Sequence, residues 1–460
     1  MAFQFSEDKI KERIQFENPW WEDGKIDPRL SKFKHRGYFP AFFKLVEQKN
    51  IKRAVVLMGP RRVGKTVMIY QSVERLIRQG VPAKNICFIS LDTPIYDGNL
   101  LEDLLKLFIT IQRHKKREHL FVFFDEIQYL KKWEVHLKSL VDSYPLIKFI
   151  VSGSAAAALK LKSNESGAGR FTEFVLPPLT FPEYLDINQI KKNRNPGNAK
   201  SLQSLNSEFV NYINYGGYPE VSLSEEIRKN MTRYVLNDIV EKVLLKDIPS
   251  LYGIQDVQEL KSFFNYIAYH TGQEFSIEGL ASKSGVAKNT IKKYIEYLEA
   301  SFLIKKLSRL DQNAKKFKRE VTFKIYLTNP SLRSALFSPI EPDDPLFGSV
   351  VENAVYAQIL HENITHLYYA RWEKGEIDFV SLDKLQKAQH VLEVKWSDRY
   401  KDNPDELKQL LSFCKKHRPA SIIVTTKTAK GTYPIDGSDA HILFVPVAEY
   451  CLQYTDQLKA

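Results

Sequence analysis

The stretch Ala54-Val55-Val56-Leu57-Met58-Gly59-Pro60-Arg61-Arg62-Val63-Gly64-Lys65-Thr66 decides the architecture of the N-terminal half. Its first five residues form an unbroken apolar run of strand length, as expected of a strand buried on both faces. Gly59 to Thr66 then fit G-x-x-x-x-G-K-[ST]. Beyond them Val67, Ile69, Tyr70, Val73, Leu76 and Ile77 recur with a helical period. Strand, glycine-rich loop and helix in that order predict a phosphate-binding loop built from Gly59, Pro60, Arg61, Arg62, Val63, Gly64, Lys65 and Thr66. The glycines let backbone N–H groups point inward at phosphates, Lys65 neutralises the β/γ-phosphates, and the Thr66 hydroxyl can ligate Mg²⁺. ATP and Mg²⁺ are the implied cofactors.

Downstream, Leu120–Phe124 is a second continuous apolar run, and it ends in Asp125-Glu126. At the C-terminal end of a buried strand, Asp125 can hold Mg²⁺ or its water and Glu126 can polarise the attacking water. Alone, such a pair is an ordinary solvated turn; behind a phosphate loop at this separation, the catalytic reading prevails. A third strand, Lys148–Val151, leads into Ser152-Gly153-Ser154. Either serine can sense a γ-phosphate, and either can simply form the turn. Arg170, in Gly169-Arg170-Phe171, fits an arginine finger and fits a structural salt bridge equally well. Helical patterns separate Ala54–Met58, Asn85–Leu91, Leu120–Phe124 and Phe149–Ser152, and this alternation predicts a parallel sheet with crossover helices.

These residues carry a family resemblance. Asn18-Pro19-Trp20-Trp21, the loop at 59–66, Ser90-Leu91-Asp92, Asp125-Glu126-Ile127-Gln128 with Trp133, Ser152-Gly153-Ser154, Gly169-Arg170-Phe171 and Leu176 to Glu183 together resemble the AAA-type predicted ATPases of bacteria and archaea. Those proteins carry a C-terminal domain of unknown function. Tyr215-Gly216-Gly217-Tyr218-Pro219 is similar to the Gly-x-Pro element of signalling-type NTPases, which implies a contact with nucleotide from the lid. Ser152 stands where relatives often have Thr; both carry a hydroxyl. No sensor-2 arginine can be placed.

The chain has 460 residues, a length that suits about three domains at roughly 150 residues each. Hydrophobic residues make up 43% and aromatics 12%, enough for ordinary cores. The three cysteines lie far apart, which excludes a disulfide framework and points to a reducing compartment. No apolar run approaches the roughly 20 residues that span a bilayer, and the N-terminus lacks an apolar signal core. A cytoplasmic protein with no membrane partner is expected. Lys and Arg number 67 against 55 Asp and Glu, a net charge of +12 that suits an anionic partner.

Much of that charge has an address. Residues 256–328 read as three helices and a hairpin, the winged helix-turn-helix order. Between Lys283 and Arg319 there are eleven Lys or Arg and three Asp or Glu. Lys288, Lys292 and Lys293 lie on the polar side of the third helix, and Lys315, Lys316, Lys318 and Arg319 lie in the wing. Phosphate contacts are one reading, with DNA preferred to RNA. A protein-protein module with a solvated hairpin is the other, and a homo-oligomer or a protein partner fits it.

In the last 115 residues Glu376-Ile377-Asp378-Phe379-Val380 alternates as a strand, and His390 to Lys395 forms the next. Alternation puts Glu393 and Lys395 on one face, where Asp378 joins them if the strands pair. Glu352, opening an amphipathic helix, can add a further carboxylate. Asp378 and Glu393 would hold Mg²⁺ and Lys395 would assist attack on a phosphodiester. The order helix–strand–strand–strand–helix–strand with Asp-x₁₄-Glu-x-Lys resembles the restriction-endonuclease-like, PD-(D/E)XK nuclease fold. That resemblance implies a fold but no established reaction, and a purely structural cluster stays open.

The expected fold class is therefore α/β: a P-loop AAA-type ATPase core (51–185) after an N-terminal segment (1–50), a helical lid (186–250), a winged helix (251–335) and a nuclease-like α/β domain (346–460). Ser338–Pro345 reads as a linker. ATP hydrolysis coupled to nucleic-acid binding, with or without cleavage, is the first functional expectation. An ATP-controlled switch or scaffold that engages a protein partner is the second.

Overall fold

A computed structural model describes residues 5–115, 117–154, 169–191, 199–249, 254, 256–311, 322–362, 366–373, 375–435 and 440–454. The chain divides into two units, residues 1–177 with 246–253, and residues 178–245 with 254–460.

The first unit is built on five strands, β1 (Ala54–Met58), β2 (Ile86–Ser90), β3 (Leu120–Asp125), β4 (Ile147–Gly153) and β5 (Phe171–Val175), in the order β2-β3-β4-β1-β5. All the pairings are parallel. Every residue of β1 and β3 is buried, which is why both strands read as unbroken apolar runs. Because the strands are parallel, the loops after β1, β3 and β4 leave the same edge of the sheet. The phosphate loop, Asp125-Glu126 and Ser152–Ser154 therefore arrive together, with β4 lying between β1 and β3.

The 1–50 segment belongs to this unit, and its aromatic motif covers the exposed edge of the sheet. Asn18 pairs with the β2 backbone as another strand would, donating to the Phe88 carbonyl at 2.8 Å and accepting from the Phe88 N–H at 2.6 Å. The indole N–H groups of Trp20 and Trp21 both donate to the Ile86 carbonyl, at 3.1 and 2.7 Å. An uncovered edge strand would leave those groups unpaired, so Asn18-Pro19-Trp20-Trp21 acts as an edge cover.

In the second unit, helices Val257–Tyr269, Ile277–Ser284 and Lys288–Ala300 are accompanied by β6 (Glu274–Ser276) and the antiparallel hairpin β7 (Ile304–Leu310) and β8 (Thr322–Leu327). Helix Phe347–Ile359 follows, then β9 (Leu367–Trp372), β10 (Gly375–Leu382), β11 (Ala388–Glu393), helix Lys408–His417, β12 (Ser421–Thr426), β13 (Gly431–Pro434), β14 (His441–Pro446) and helix Val447–Tyr454. The hairpin does not end at a domain boundary. Arg309 and Leu310 of β7 pair in parallel with Tyr369 and Ala370 of β9, giving one nine-stranded sheet in the order β13-β14-β12-β11-β10-β9-β7-β8-β6.

The stretch that reads as a linker is likewise tied down. Ile340 is buried, donates its N–H to Asn214 Oδ1 at 2.8 Å, and accepts from Asn214 Nδ2 at 3.0 Å. One apolar core runs through Phe209 and Tyr212 of helix Ala199–Tyr215, Val351 and Val355 of helix Phe347–Ile359, and Tyr369, Phe379 and Val447. Residues expected in a separate lid thus share a core with the C-terminal strands.

Candidate functional sites

In the first unit the loop after β1 turns through Gly59 at φ +154 and Gly64 at φ +95. A side chain at Gly59 would place its Cβ 2.1 Å from the Leu176 carbonyl oxygen, so the residue after β1 must be glycine for the chain beyond β5 to lie against it. Arg36, buried, ties the loop from outside, donating to the Val63 carbonyl at 2.8 Å and the Pro177 carbonyl at 3.0 Å. Arg61 pairs with Asp247 at 3.1 Å. Lys65 is 5% exposed and donates to the carbonyls of Gly59 (3.1 Å) and Pro60 (2.8 Å). Burial pushes its ammonium below the ordinary lysine value.

The Thr66 hydroxyl donates to Asp125 Oδ2 at 2.7 Å, and the Ser152 hydroxyl donates to Asp125 Oδ1. Burial, with Glu126 beside it, pushes Asp125 up to about 6. Glu126 sits at φ 54 in the left-handed region, turning its carboxylate off the strand; Gln128 donates to that carboxylate through its amide nitrogen. Gln128 Oε1 accepts from the Ser154 N–H at 3.1 Å, and the Glu126 N–H donates to Ser152 Oγ at 3.3 Å. Ser152 and Gln128 thus lace the end of β4 to the acidic pair. Among the described residues the buried Ser154 hydroxyl has no hydrogen-bond partner. Thr66 and Asp125 present oxygen donors to one point, the donor type Mg²⁺ takes. Arg170 is drawn to the surface, where its Nε lies 3.1 Å from Asp142 Oδ1.

The structure brings together Lys65, Thr66, Asp125, Glu126 and Ser152 and leaves Arg170 in a surface ion pair. Sequence reading missed Arg36 and Asp247, and it quoted Gln128 within the family motif without giving it a role. Only Gln128 carried a signal, standing two residues beyond Glu126.

Tyr215–Pro219 lies in the second unit, and its glycines are explained by packing. A Cβ on Gly216 would meet Tyr212 Cδ2 at 2.2 Å, and one on Gly217 would meet Asn329 Oδ1 and Ser331 Oγ at 2.4 Å.

The second unit gathers the C-terminal carboxylates. Phe379 pairs with Leu392 in the antiparallel β10–β11 ladder, setting Asp378 against Glu393. The Asp378 N–H donates to Glu393 Oε2 at 3.4 Å, and Asp378 Oδ2 accepts from the Val394 N–H at 2.8 Å. Lys395 Nζ lies 2.7 Å from Glu393 Oε1. Glu352 arrives on helix Phe347–Ile359, which Asn353 clamps to the end of β8: its Nδ2 donates to the Leu327 carbonyl at 2.8 Å and its Oδ1 accepts from the Leu327 N–H at 3.2 Å.

Sequence reading missed the group at the centre. Lys324 of β8 is 2% exposed, and its Nζ lies 2.6 Å from Glu376, 2.9 Å from Glu352 and 3.5 Å from Asp378. Tyr326, two residues on and so on the same strand face, donates to Glu352 at 2.5 Å. The available signal was a lone lysine in the otherwise apolar run Phe323–Leu327. Burial, with Asp378 nearby, pushes both Glu352 and Glu393 up to about 7. Burial works against the Lys324 ammonium, but Glu352, Asp378 and Glu376 outweigh it and hold it above the ordinary lysine value. Among the described residues no group of three His, Cys, Asp or Glu side chains is arranged to hold a metal ion.

On the third helix Lys288, Lys292 and Lys293 are exposed, with Lys288 3.3 Å from Glu278. Lys315, Lys316, Lys318 and Arg319 lie outside the described residues. Among the described residues no helix is long and apolar enough to cross a membrane. Cys87, Cys414 and Cys451 are buried and unpaired.

Comparison with known proteins adds the following. Residues 51–185 match the family described as an AAA domain, residues 206–344 the domain of unknown function DUF8612, and residues 347–450 the domain of unknown function DUF4143. The first of these is therefore an AAA-type, parallel-sheet P-loop ATPase domain, and nucleotide binding and hydrolysis go with it. An uncharacterized protein of Haemophilus influenzae is 25% identical over 415 residues, 89% of this chain and 97% of its own length. The uncharacterized proteins MJ1544 and MJ1637 of Methanocaldococcus jannaschii are 24% and 25% identical, covering 71% and 72% of this chain and the same shares of their own lengths. Among solved structures, the Aeropyrum pernix ORC1 protein in complex with DNA aligns over 67% of this chain and 94% of its own, at 12% identity and a TM-score of 0.33. The Saccharomyces cerevisiae Hsp104–ADP complex aligns over 63% and 40%, at 16% identity and a TM-score of 0.32. At TM-scores this low, neither bears on what this chain binds.

Proposed function

We propose that the chain is a Mg²⁺-dependent ATPase whose nucleotide cycle is coupled to nucleic-acid binding by residues 251–335. The observation that carries the ATPase reading is the 2.7 Å hydrogen bond from Thr66 to Asp125, which sets the two intended Mg²⁺ ligands face to face. When bound, the metal supplies charge stabilisation at the transferring phosphoryl group. Lys65 exchanges the Gly59 and Pro60 carbonyls for phosphate oxygens. Glu126, steered by Gln128, orients the attacking water, and Ser154 offers its hydroxyl to the γ-phosphate while Ser152 holds Asp125. Arg170 serves as a finger only by leaving Asp142. Lys65→Ala should abolish nucleotide binding or turnover, and Glu126→Gln should bind ATP without hydrolysing it. Hydrolysis by Glu126→Gln at the wild-type rate refutes the assignment.

The nucleic-acid part rests on three helices and a hairpin in winged helix-turn-helix order, with exposed Lys288, Lys292 and Lys293 on the third helix. DNA is favoured over RNA. Residues 346–460 supply a nuclease-like site in which Asp378, Glu393 and Lys395, with Glu352, face a phosphodiester. One observation favours a second reading: Lys324 already pairs with Glu352 and Asp378, and Lys395 with Glu393, as expected of a silent site on an ATP-controlled switch or scaffold with a protein partner. Mg²⁺- or Mn²⁺-dependent nicking that is lost in Asp378→Ala favours cleavage. Stable partner capture with no nicking favours the switch.

A further inference from the structure

An ammonium buried among carboxylates needs a reason, since burying an ion costs several kcal/mol before its partners return anything. Lys324 is 2% exposed and touches three carboxylates that come from two different elements, Glu352 from a helix and Glu376 and Asp378 from β10. Its position is built rather than incidental. The pairing of β7 with β8 sets Lys324 opposite Leu307, the Asn353 clamp fixes the Glu352 helix to the end of the same strand, and the Lys324 ammonium lies 5.6 Å from the centre of the Tyr369 ring. Arg371 adds a second cation on Glu376 at 3.0 Å, and Lys395 takes Glu393. Each of Glu352, Glu376, Asp378 and Glu393 is thereby in contact with a tethered positive charge.

A divalent cation in such a place needs several oxygen ligands converging at short range. Here they converge on nitrogen. We propose that Lys324 is the resident cation of this cluster: its ammonium, carried in on β8, holds the place a divalent ion would take among Glu352, Glu376 and Asp378, so that a metal enters only when this side chain is withdrawn. The inference takes from the preceding reading only that these carboxylates form the nuclease-like site. It assigns to β8 control over the chemistry of a domain that begins some twenty residues later in the chain, a role that no motif in either segment announces.

The test reads cation binding rather than cleavage. Mn²⁺ is titrated by electron paramagnetic resonance into the full chain carrying Thr66→Ala, which removes the phosphate-loop metal site. Lys324→Met in that background should gain a Mn²⁺ site at least about tenfold tighter than any in the parent. The gain should vanish when Asp378→Asn is added, and Mn²⁺ should raise the melting temperature of the Lys324→Met protein and leave that of its parent unchanged. If Lys324→Met leaves too much unbalanced charge to fold, Lys324→Met with Glu376→Gln removes one cation and one anion together and should still gain an Asp378-dependent Mn²⁺ site, held by Glu352 and Asp378. An Asp378-dependent Mn²⁺ site of equal affinity with Lys324 present overturns the proposal, as does a folded Lys324 variant that gains none. A chain that cuts nothing in any variant counts against the nuclease reading alone.

Discussion

Replacing Gly59 with alanine tests how the phosphate loop is held. The new Cβ would stand 2.1 Å from the Leu176 carbonyl oxygen and 3.1 Å from its carbon, where ordinary contact begins at 3.4 Å, so the two segments must part by about 1.3 Å. Both partners are backbone, so no side chain can swing aside. The hydrogen bond from the Leu176 N–H to the Met58 carbonyl, 2.7 Å long, lies at the same spot. Losing it costs about 1 kcal/mol, the forced packing about 1–3 kcal/mol and the φ of +154 about 1 kcal/mol more, a total of roughly 3–5 kcal/mol. At about 2–4 °C per kcal/mol for a unit of this size, the first unit should melt roughly 6–20 °C lower. Gly80→Ala is the control: its φ is +87, but nothing lies within 4 Å of its Cβ, so only the backbone term of about 1 kcal/mol remains. Calorimetry on both variants and ATP titration of the folded Gly59→Ala protein give the answer. ATP affinity should fall about tenfold or more, because parting Gly59 from Leu176 shifts the loop whose backbone N–H groups must face the phosphates. The reasoning fails if Gly59→Ala melts no lower than Gly80→Ala.

Three further expectations follow from the same geometry. Asp125 is pushed up to about 6, so it carries a proton below that pH and loses its capacity to ligate a cation. The Mg²⁺ concentration for half-maximal ATPase should therefore be higher at about pH 5.5 than at about pH 7.5, and a requirement independent of pH would contradict the assignment. Gly217→Ala, whose Cβ meets Asn329 and Ser331 at 2.4 Å, should destabilise the second unit by about 2–4 kcal/mol in urea melts while ATP affinity stays unchanged. Lost ATP affinity without lost stability would instead support the nucleotide contact that the Gly-x-Pro resemblance implies. Replacing Lys292 and Lys293 with alanine should weaken binding to duplex DNA for all sequences alike and lower the salt slope by about 2; an unchanged slope removes these lysines from the interface.

The first unit was largely legible because its chemistry is local. The phosphate loop is a run of eight residues, and the turn at Gly64 and the helix from Lys65 are set by neighbours in the chain, although the need for glycine at 59 comes from Leu176. Asp125-Glu126 was legible for the same reason, since a fully apolar strand ends on it. Parallel pairing then brought the two segments to one edge without any further information. Elsewhere a local signal had a distant cause. Gly216 and Gly217 carry a motif associated with nucleotide, yet Tyr212, Asn329 and Ser331 account for them. Ser338–Pro345 has the composition of a linker, yet Asn214 holds Ile340. Asn18-Pro19-Trp20-Trp21 was noticed as an aromatic cluster, but its task, covering β2, depends on which strand forms the edge of the sheet.

What the sequence by itself determined is thus the nucleotide-binding core, the alternation that builds its sheet, and the pairing of Glu393 with Lys395, although β11 ends at Glu393 and Lys395 lies just beyond it. Tertiary structure alone decided which charges meet. Asp247 reaches Arg61 from 186 residues away, and Lys324 reaches Asp378 across strands whose order, β10-β9-β7-β8, follows from a pairing of only Arg309 and Leu310 with Tyr369 and Ala370. The physical reason is that spacing along a chain governs torsion angles and periodicity, whereas an ion pair depends on distance and burial in space. A lysine in an apolar strand announces that it must be neutralised; only the fold names the carboxylates that do it.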